Sequence, residues 1–79
     1  MFRKKRQSNQ GPEWVRMELL EKHGQYAKTS VIKEGDGTYS ILVDGHRSRT
    51  GLTRGQADAA ADSRIRKLRR NGWRPLTGR

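Results

Sequence analysis

The pair Asp44-Gly45 constrains the fold of this 79-residue chain more than any other feature. It separates residues 38–43, which are rich in β-forming side chains, from residues 46–51. Asp-Gly suits a type I′ turn, because both central residues of that turn need positive φ angles. The sequence therefore predicts two antiparallel strands joined by a two-residue turn.

A two-residue turn also fixes which residues face each other across the hairpin. Counting outwards from the turn places Ser48 opposite Ile41. Because side chains alternate between the faces of a strand, we expect Arg47 and Arg49 to share one basic sheet face. The other face is predicted to be the core, with the three large apolar residues Tyr39, Ile41 and Val43.

Two flanking segments extend this hairpin. Residues 26–33 favour a strand, and the turn at residues 34–37 joins it to the hairpin. Residues 53–70 favour a helix, because Thr53 and Gln56 have the spacing of a capping box. A single apolar stripe then recurs at helical spacing: Ala57, Ala60, Ala61, Ile65 and Leu68.

Residues 12–23 are open to two interpretations. Pro12 at the start and Gly24 after the end are typical of helix boundaries. The alternation of apolar with charged residues favours a strand instead, at Val15, Met17 and Leu19. We choose the helix because of its boundary residues.

The predicted fold is therefore an α+β domain with the order α-β-β-β-α. A three-stranded antiparallel sheet packs on a C-terminal helix, and a short N-terminal helix precedes it. Residues 12–73 are predicted to form this single domain. Residues 1–11 are predicted to be a disordered basic arm and residues 74–79 a flexible tail.

Positive charge is concentrated at the two ends of the chain, whose net charge is +10. Residues 1–11 contain four bases and no acid, and residues 46–79 contain ten bases and two acids. Clustered bases on a small domain are typical of proteins that bind a polyanion. Twelve of the eighteen bases are Arg, whose planar guanidinium suits phosphates and base edges.

We predict nucleic-acid contacts from the arm, the sheet face and the C-terminal helix. The candidate residues are Arg3, Lys4, Lys5, Arg6, Arg47, Arg49, Arg54, Arg66, Lys67, Arg69 and Arg70. Arg64 falls near the apolar stripe, where we expect its stem to cover the edge of the core. Four aromatic residues could stack on bases but are expected in the core: Trp14, Tyr26, Tyr39 and Trp73.

Catalytic chemistry finds little support in the sequence. The chain has no Cys, and its two His residues, His23 and His46, lie far apart with no carboxylate at metal-ligand spacing. We expect neither an enzyme nor a cofactor or metal site. The basic start is not followed by an apolar segment, and no apolar run approaches membrane-spanning length, so we expect a soluble cytoplasmic protein without a membrane partner.

Residues 39–61 resemble two nucleic-acid-binding families. Strands followed by a helix that begins after Gly51-Leu52-Thr53 resemble the arm-type DNA-binding domain of tyrosine integrases. That resemblance implies a sheet face in the major groove, with Arg47 and Arg49 on the bases. Residues 53–61 resemble the second helix of the double-stranded-RNA-binding domain, whose signature is matched at Arg54, Ala57, Ala60 and Ala61. Gly55 and Asp58 stand where that signature has Lys.

The sequence thus predicts a small non-enzymatic nucleic-acid-binding protein, with DNA slightly favoured over RNA as the hypothesis for its ligand. The alternative is a small interaction protein that binds an acidic surface of a larger machine, such as a polymerase, a nuclease or the ribosome, and inhibits or adapts it. A phage or mobile-element origin would suit both hypotheses.

Overall fold

Successive antiparallel hairpins, followed by one helix, build the structure. The computed structural model describes residues 12–76. Within that range the elements are β1 (Glu13–Lys22), β2 (Gln25–Lys33), β3 (Tyr39–Val43), β4 (His46–Leu52), α1 (Arg54–Arg70) and β5 (Arg74–Pro75). The five strands form one sheet in the order β4-β3-β2-β1-β5. The α+β class, the antiparallel sheet and the C-terminal helix are confirmed, whereas the prediction of only three strands is wrong.

The segment predicted to be an N-terminal helix is the long strand β1. Gly24, which we interpreted as a helix stop, belongs to the turn that joins β1 to β2. There His23 and Gly24 have φ angles of 52° and 81°, as a tight hairpin turn requires. As a strand, the segment divides its apolar residues between two sheet faces, so that Leu20 is buried while Met17 lies on the opposite face.

The two faces of the sheet differ in what covers them. On one face, Val31, Ile41 and Leu52 form the core with Ala57 and Ala61 of α1. We call the other face the open face, because no helix covers it within residues 12–76. Partners across a ladder share a face, and the register places these side chains on the open face: Trp14, Met17, Leu19, Tyr26, Lys28, Ser30, Ile32, Ser40, Leu42 and Arg47.

The start of α1 follows the sequence prediction. The Gln56 backbone N–H donates to Thr53 Oγ1 at 3.1 Å, and the Thr53 N–H donates to Gln56 Oε1 at 3.0 Å. These two bonds form the predicted capping box. They satisfy N–H groups that a helix start would otherwise leave without partners.

The end of α1 turns the chain back to the sheet. The Gly72 N–H donates to Arg69 O at 3.1 Å and the Trp73 N–H to Leu68 O at 3.0 Å, which is the pattern of a Schellman motif. Gly72 has a φ of 99°, a conformation that Gly adopts at little cost. The motif directs the following residues towards β1.

Residues 74 and 75, which we assigned to the tail from the sequence, form the edge strand β5. They pair with Leu20 and Glu21 of β1. The Leu76 N–H continues this pairing by donating to Leu19 O at 2.9 Å. Two residues are too few to show a periodic pattern, so the sequence gives no indication of this strand.

We predict that Ala57→Leu destabilises the protein by about 1–3 kcal/mol, because overpacking a closely packed core forces side chains and backbone to shift. Ala57 is completely buried against the sheet, whereas Ala59 on the same helix is exposed. Ala59→Leu is therefore the matched control and should change the free energy of unfolding by less than about 0.5 kcal/mol. Urea unfolding of both variants measures the difference, and equal stabilities would contradict the observed packing of α1.

Candidate nucleic-acid interface

A bulge in β4 separates the two arginines that were expected to share a sheet face. Leu42 pairs with Arg47 as predicted, but Ile41 pairs with Arg49 rather than with Ser48. Ser48 is thus an extra residue in the ladder. Arg47 consequently lies on the open face with Leu42, while Arg49 lies on the helix-covered face with Ile41. The prediction of one basic face carrying both arginines is wrong.

A second irregularity follows in the same strand. Tyr39 pairs with Leu52, where a regular ladder would place Thr50. Gly51 has a φ of 71° at this position, as Gly does in bulges. The slip brings Leu52 into the core next to the start of α1. A β-bulge gives no signal in the spacing of apolar residues along the sequence. The pairing of the hairpin could therefore be predicted only near its turn.

Arg47 is engaged in an ion pair within the protein. Its Nε donates to Glu34 Oε2 at 2.8 Å and its Nη2 to Glu34 Oε1 at 3.1 Å. The Ser40 hydroxyl also donates to Glu34 Oε2, at 2.6 Å. The hydrogen bonds from Arg47, and then that from Ser40, lower the pKa of Glu34, while the Glu34 carboxylate raises the pKa of Arg47. This bidentate pair fixes the guanidinium close to Glu34.

Two other arginines are also paired with acids. Arg54 Nε donates to Asp58 Oδ2 at 3.2 Å, and its guanidinium lies 5.8 Å from the centre of the Tyr39 ring. Arg16 of β1 contacts both Asp58 and Asp62 of α1. The hydrogen bond with Asp62 is the main cause that raises the pKa of Arg16. These pairs tie β1 and the first half of α1 together.

The bases in the second half of α1 have no such partners. Arg66, Lys67, Arg69 and Arg70 are exposed, and none of them forms an ion pair with a carboxylate in residues 12–76. Arg49 on β4 is likewise exposed and without an ion pair in this range. These five are the predicted site residues that stay available to an external anion. The predicted residues Arg3, Lys4, Lys5 and Arg6 lie outside the described residues.

The two acids of α1 and Lys67 lie on opposite sides of the helix. Residues advance by about 100° around a helix, which places Asp58 and Asp62 on the side that contacts Arg16 of β1. Lys67 lies on the opposite side, next to Arg49 of β4. Arg66 and Arg70 fall between these two sides, away from the sheet, and Arg69 falls on the side of the acids.

The aromatic residues do not all lie in the core. Trp14 and Tyr26 are 63% and 61% exposed on the open face, and Met17 between them is 57% exposed. Tyr39 and Trp73 are half-buried. The expectation of core positions is therefore wrong for Trp14 and Tyr26. For Trp14, the segment that contains it forms a strand rather than the expected N-terminal helix.

Two further observations concern the described part of the chain. Residues 12–76 contain no cluster of three or more His, Asp or Glu side chains that could hold a metal ion. No helix in this range is long and apolar enough to cross a membrane. In comparisons with known proteins, no family model, curated protein or solved structure matches the chain.

We predict that Glu34→Gln destabilises the protein at pH 7 and that this difference vanishes in acid. The pKa of Glu34 is lowered in the folded protein by Arg47 and Ser40, and the nearby Asp36 only partly opposes this effect. As the pH falls, Glu34 therefore becomes protonated in the unfolded chain before it does in the folded protein. The stabilisation is present above the unfolded pKa, near ~4.3, and is lost as the pH falls through the lowered folded pKa.

Urea unfolding of both proteins between pH 7 and pH 2 measures this convergence. Glu13→Gln is the control, because Glu13 forms no ion pair with any residue from 12 to 76. A Glu34→Gln deficit that persists unchanged at the lowest pH would show that the carboxylate charge does not contribute to stability.

Proposed function

We propose that this protein binds nucleic acid without catalysing a reaction, and that DNA is its preferred ligand. The observation that carries the proposal is the exposed basic surface of α1. Residues 64–70 contain five bases and no acid, and four of these bases are exposed and without ion pairs in the described structure. Phosphates of a nucleic-acid backbone are the ligands that such a surface neutralises.

The distribution of the acids supports this proposal. Four of them form ion pairs with Arg16, Arg47 and Arg54: Glu18, Glu34, Asp58 and Asp62. Three more accept backbone hydrogen bonds in turns: Glu21, Asp36 and Asp44. The second half of α1 has no acid of its own, and its four exposed bases therefore form the densest group of unpaired positive charge along residues 12–76.

Complementation of the helix dipole does not account for all of these bases. The dipole acts within about the last turn of a helix, and the bases of that turn are Lys67, Arg69 and Arg70. Arg64 and Arg66 precede it. A role in binding an external polyanion accounts for the whole cluster.

The shape of the basic element favours DNA over RNA. An exposed helix fits the wide major groove of B-form DNA, whereas the major groove of an RNA duplex is too deep and narrow for side chains to read. Arg47 and Arg49 lie on opposite sheet faces, so these two residues would not read bases together. We therefore assign contacts with the nucleic-acid backbone to the main part of the interface.

A second candidate function is supported by the open face. Trp14, Met17 and Tyr26 are exposed there, and these residue types are enriched in protein–protein interfaces. The alternative is therefore an interaction protein whose partner combines an apolar patch with an acidic surface. A pull-down with and without nuclease separates the two, because a stoichiometric protein partner that survives nuclease favours the alternative.

We predict that the double variant Arg66→Ala and Arg70→Ala binds duplex DNA more weakly and that its binding depends less steeply on salt concentration. Each lost phosphate contact lowers the slope of log K against log salt by about 0.9 for duplex and about 0.7 for single strands. Lys28→Ala with Lys33→Ala removes the same charge from residues away from α1 and is the matched control. Fluorescence anisotropy with duplex DNA, single-stranded DNA and duplex RNA, each at several salt concentrations, measures these slopes.

Absence of salt-dependent binding to every nucleic acid would overturn the proposal. Equal losses in the two double variants would show that net charge, rather than the basic surface of α1, determines affinity. Both substitutions are at residues without ion pairs in the described range, so the melting temperatures should stay close to that of the unmodified protein.

A further inference from the structure

A basic crevice lies between α1 and the sheet, beside the bulge of β4. Its volume is about 260 Å³, which is just below the range of pockets that hold drug-sized ligands. It is lined by Ile41, Ser48, Arg49, Ala60, Ser63, Arg64 and Lys67. Three bases and two hydroxyl groups thus meet beside two apolar side chains, and none of the acids in the described part of the chain lines the crevice.

The bulge is what brings Arg49 into this crevice. In a regular ladder, Ser48 would face Ile41 and Arg49 would point to the open face with Arg47. The extra residue reverses this, so that Arg49 pairs with Ile41 on the face covered by α1. Bulges commonly redirect a side chain next to a functional site. Here the redirected side chain carries a charge that no acid in residues 12–76 pairs with.

Arg64 is held in place on the other side of the crevice. Its Nε donates to Thr29 Oγ1 at 2.9 Å, and Thr29 is almost completely buried in the sheet. The sequence assigned Arg64 to the edge of the core, and the half-buried side chain agrees with that. Because the bond uses Nε, the terminal Nη groups of the guanidinium can donate to a ligand. The bond also restrains the Arg64 side chain, which reduces the conformational entropy that the side chain loses on binding.

We propose that this crevice binds one phosphate group of a nucleic-acid backbone. This proposal rests on the proposed function and assigns one contact of that interface. Arg49 and Arg64 donate to the phosphate oxygens from opposite walls, and Lys67 adds a third positive charge. Ser48 and Ser63 supply hydroxyl donors. The planar guanidinium fork matches the tetrahedral array of phosphate oxygens, and such charge-assisted hydrogen bonds are stronger than neutral ones.

The surrounding surface agrees with a backbone phosphate. Lys67 belongs both to the crevice and to the exposed basic surface of α1, so that a strand lying along that surface would bring its phosphates to the crevice. A single phosphate held between β4 and α1 would also fix the orientation of the strand on the helix. The phosphate contact is independent of base identity, and the proposal therefore applies to all sequences alike.

The test compares two double variants of the full chain. The crevice variant combines Arg49→Gln and Lys67→Gln, and the charge-matched control combines Lys28→Gln and Lys33→Gln. Binding to a short duplex DNA is measured by fluorescence anisotropy at one salt concentration. The crevice variant should bind roughly tenfold or more weakly than the control, as expected for lost charge-assisted contacts. Circular dichroism and thermal melting should be the same for both variants, because the substituted side chains hold no ion pair in the described structure.

A second measurement uses inorganic phosphate alone. Titration of the ¹⁵N-labelled protein, with sodium chloride at matched ionic strength as the control, should shift the Nε–H resonances of Arg49 and Arg64 selectively. The crevice variant should lose the shift at Arg64, although Arg64 itself is unchanged. Arg47, which is paired with Glu34, should respond in neither protein.

The outcomes distinguish the two proposals. DNA binding that is weakened equally in both variants, without selective phosphate shifts, overturns the crevice site and leaves the nucleic-acid proposal standing. Selective phosphate shifts without DNA binding support a phosphate site but overturn its assignment to nucleic acid. The absence of both overturns the two proposals together.

Discussion

Within residues 12–76, the one helix can cover only one face of the five-stranded sheet, and most features of the surface follow from this constraint. The contact is close, because Ala57 and Ala61 meet Val31 with no long side chain between them. Among the residues that the structure describes, no second layer covers the apolar residues of β1 that point the other way. Trp14 and Met17 are exposed on this open face, whereas Ile32 and Leu42 on the same face are buried.

The close helix contact also determines where the charge goes. Arg16 in β1 meets Asp58 and Asp62 on one side of α1, and this network occupies two of the acids closest to the late bases of the helix. Such partly exposed pairs contribute little to stability individually. Their larger consequence is electrostatic: Asp58 and Asp62 are held towards β1, and the late bases of α1 and Arg49 have no ion-pair partner in the described structure.

Local signals in the sequence predicted local structure well. The capping box at Thr53 and the Asp44-Gly45 turn each depend on a few adjacent residues, and each occurs as expected. Non-local features were missed. The segment at residues 13–22 is a strand because β2 pairs along its whole length, and its boundary residues alone could not indicate that partner. The edge strand β5 depends in the same way on β1.

The candidate site shows the same division between local and non-local information. The basic character of residues 64–70 could be predicted, because it is a property of composition and helical spacing. The position of Arg49 could not, since a bulge changes the face of every residue that follows it until the next irregularity. One inserted residue, Ser48, therefore converts a predicted pair of sheet-face arginines into two residues with different surroundings. Arg47 becomes an internal partner of Glu34, and Arg49 joins Arg64 and Lys67 at the crevice. The geometry of the ladder, rather than the number of bases, thus determines which arginines remain available to a phosphate.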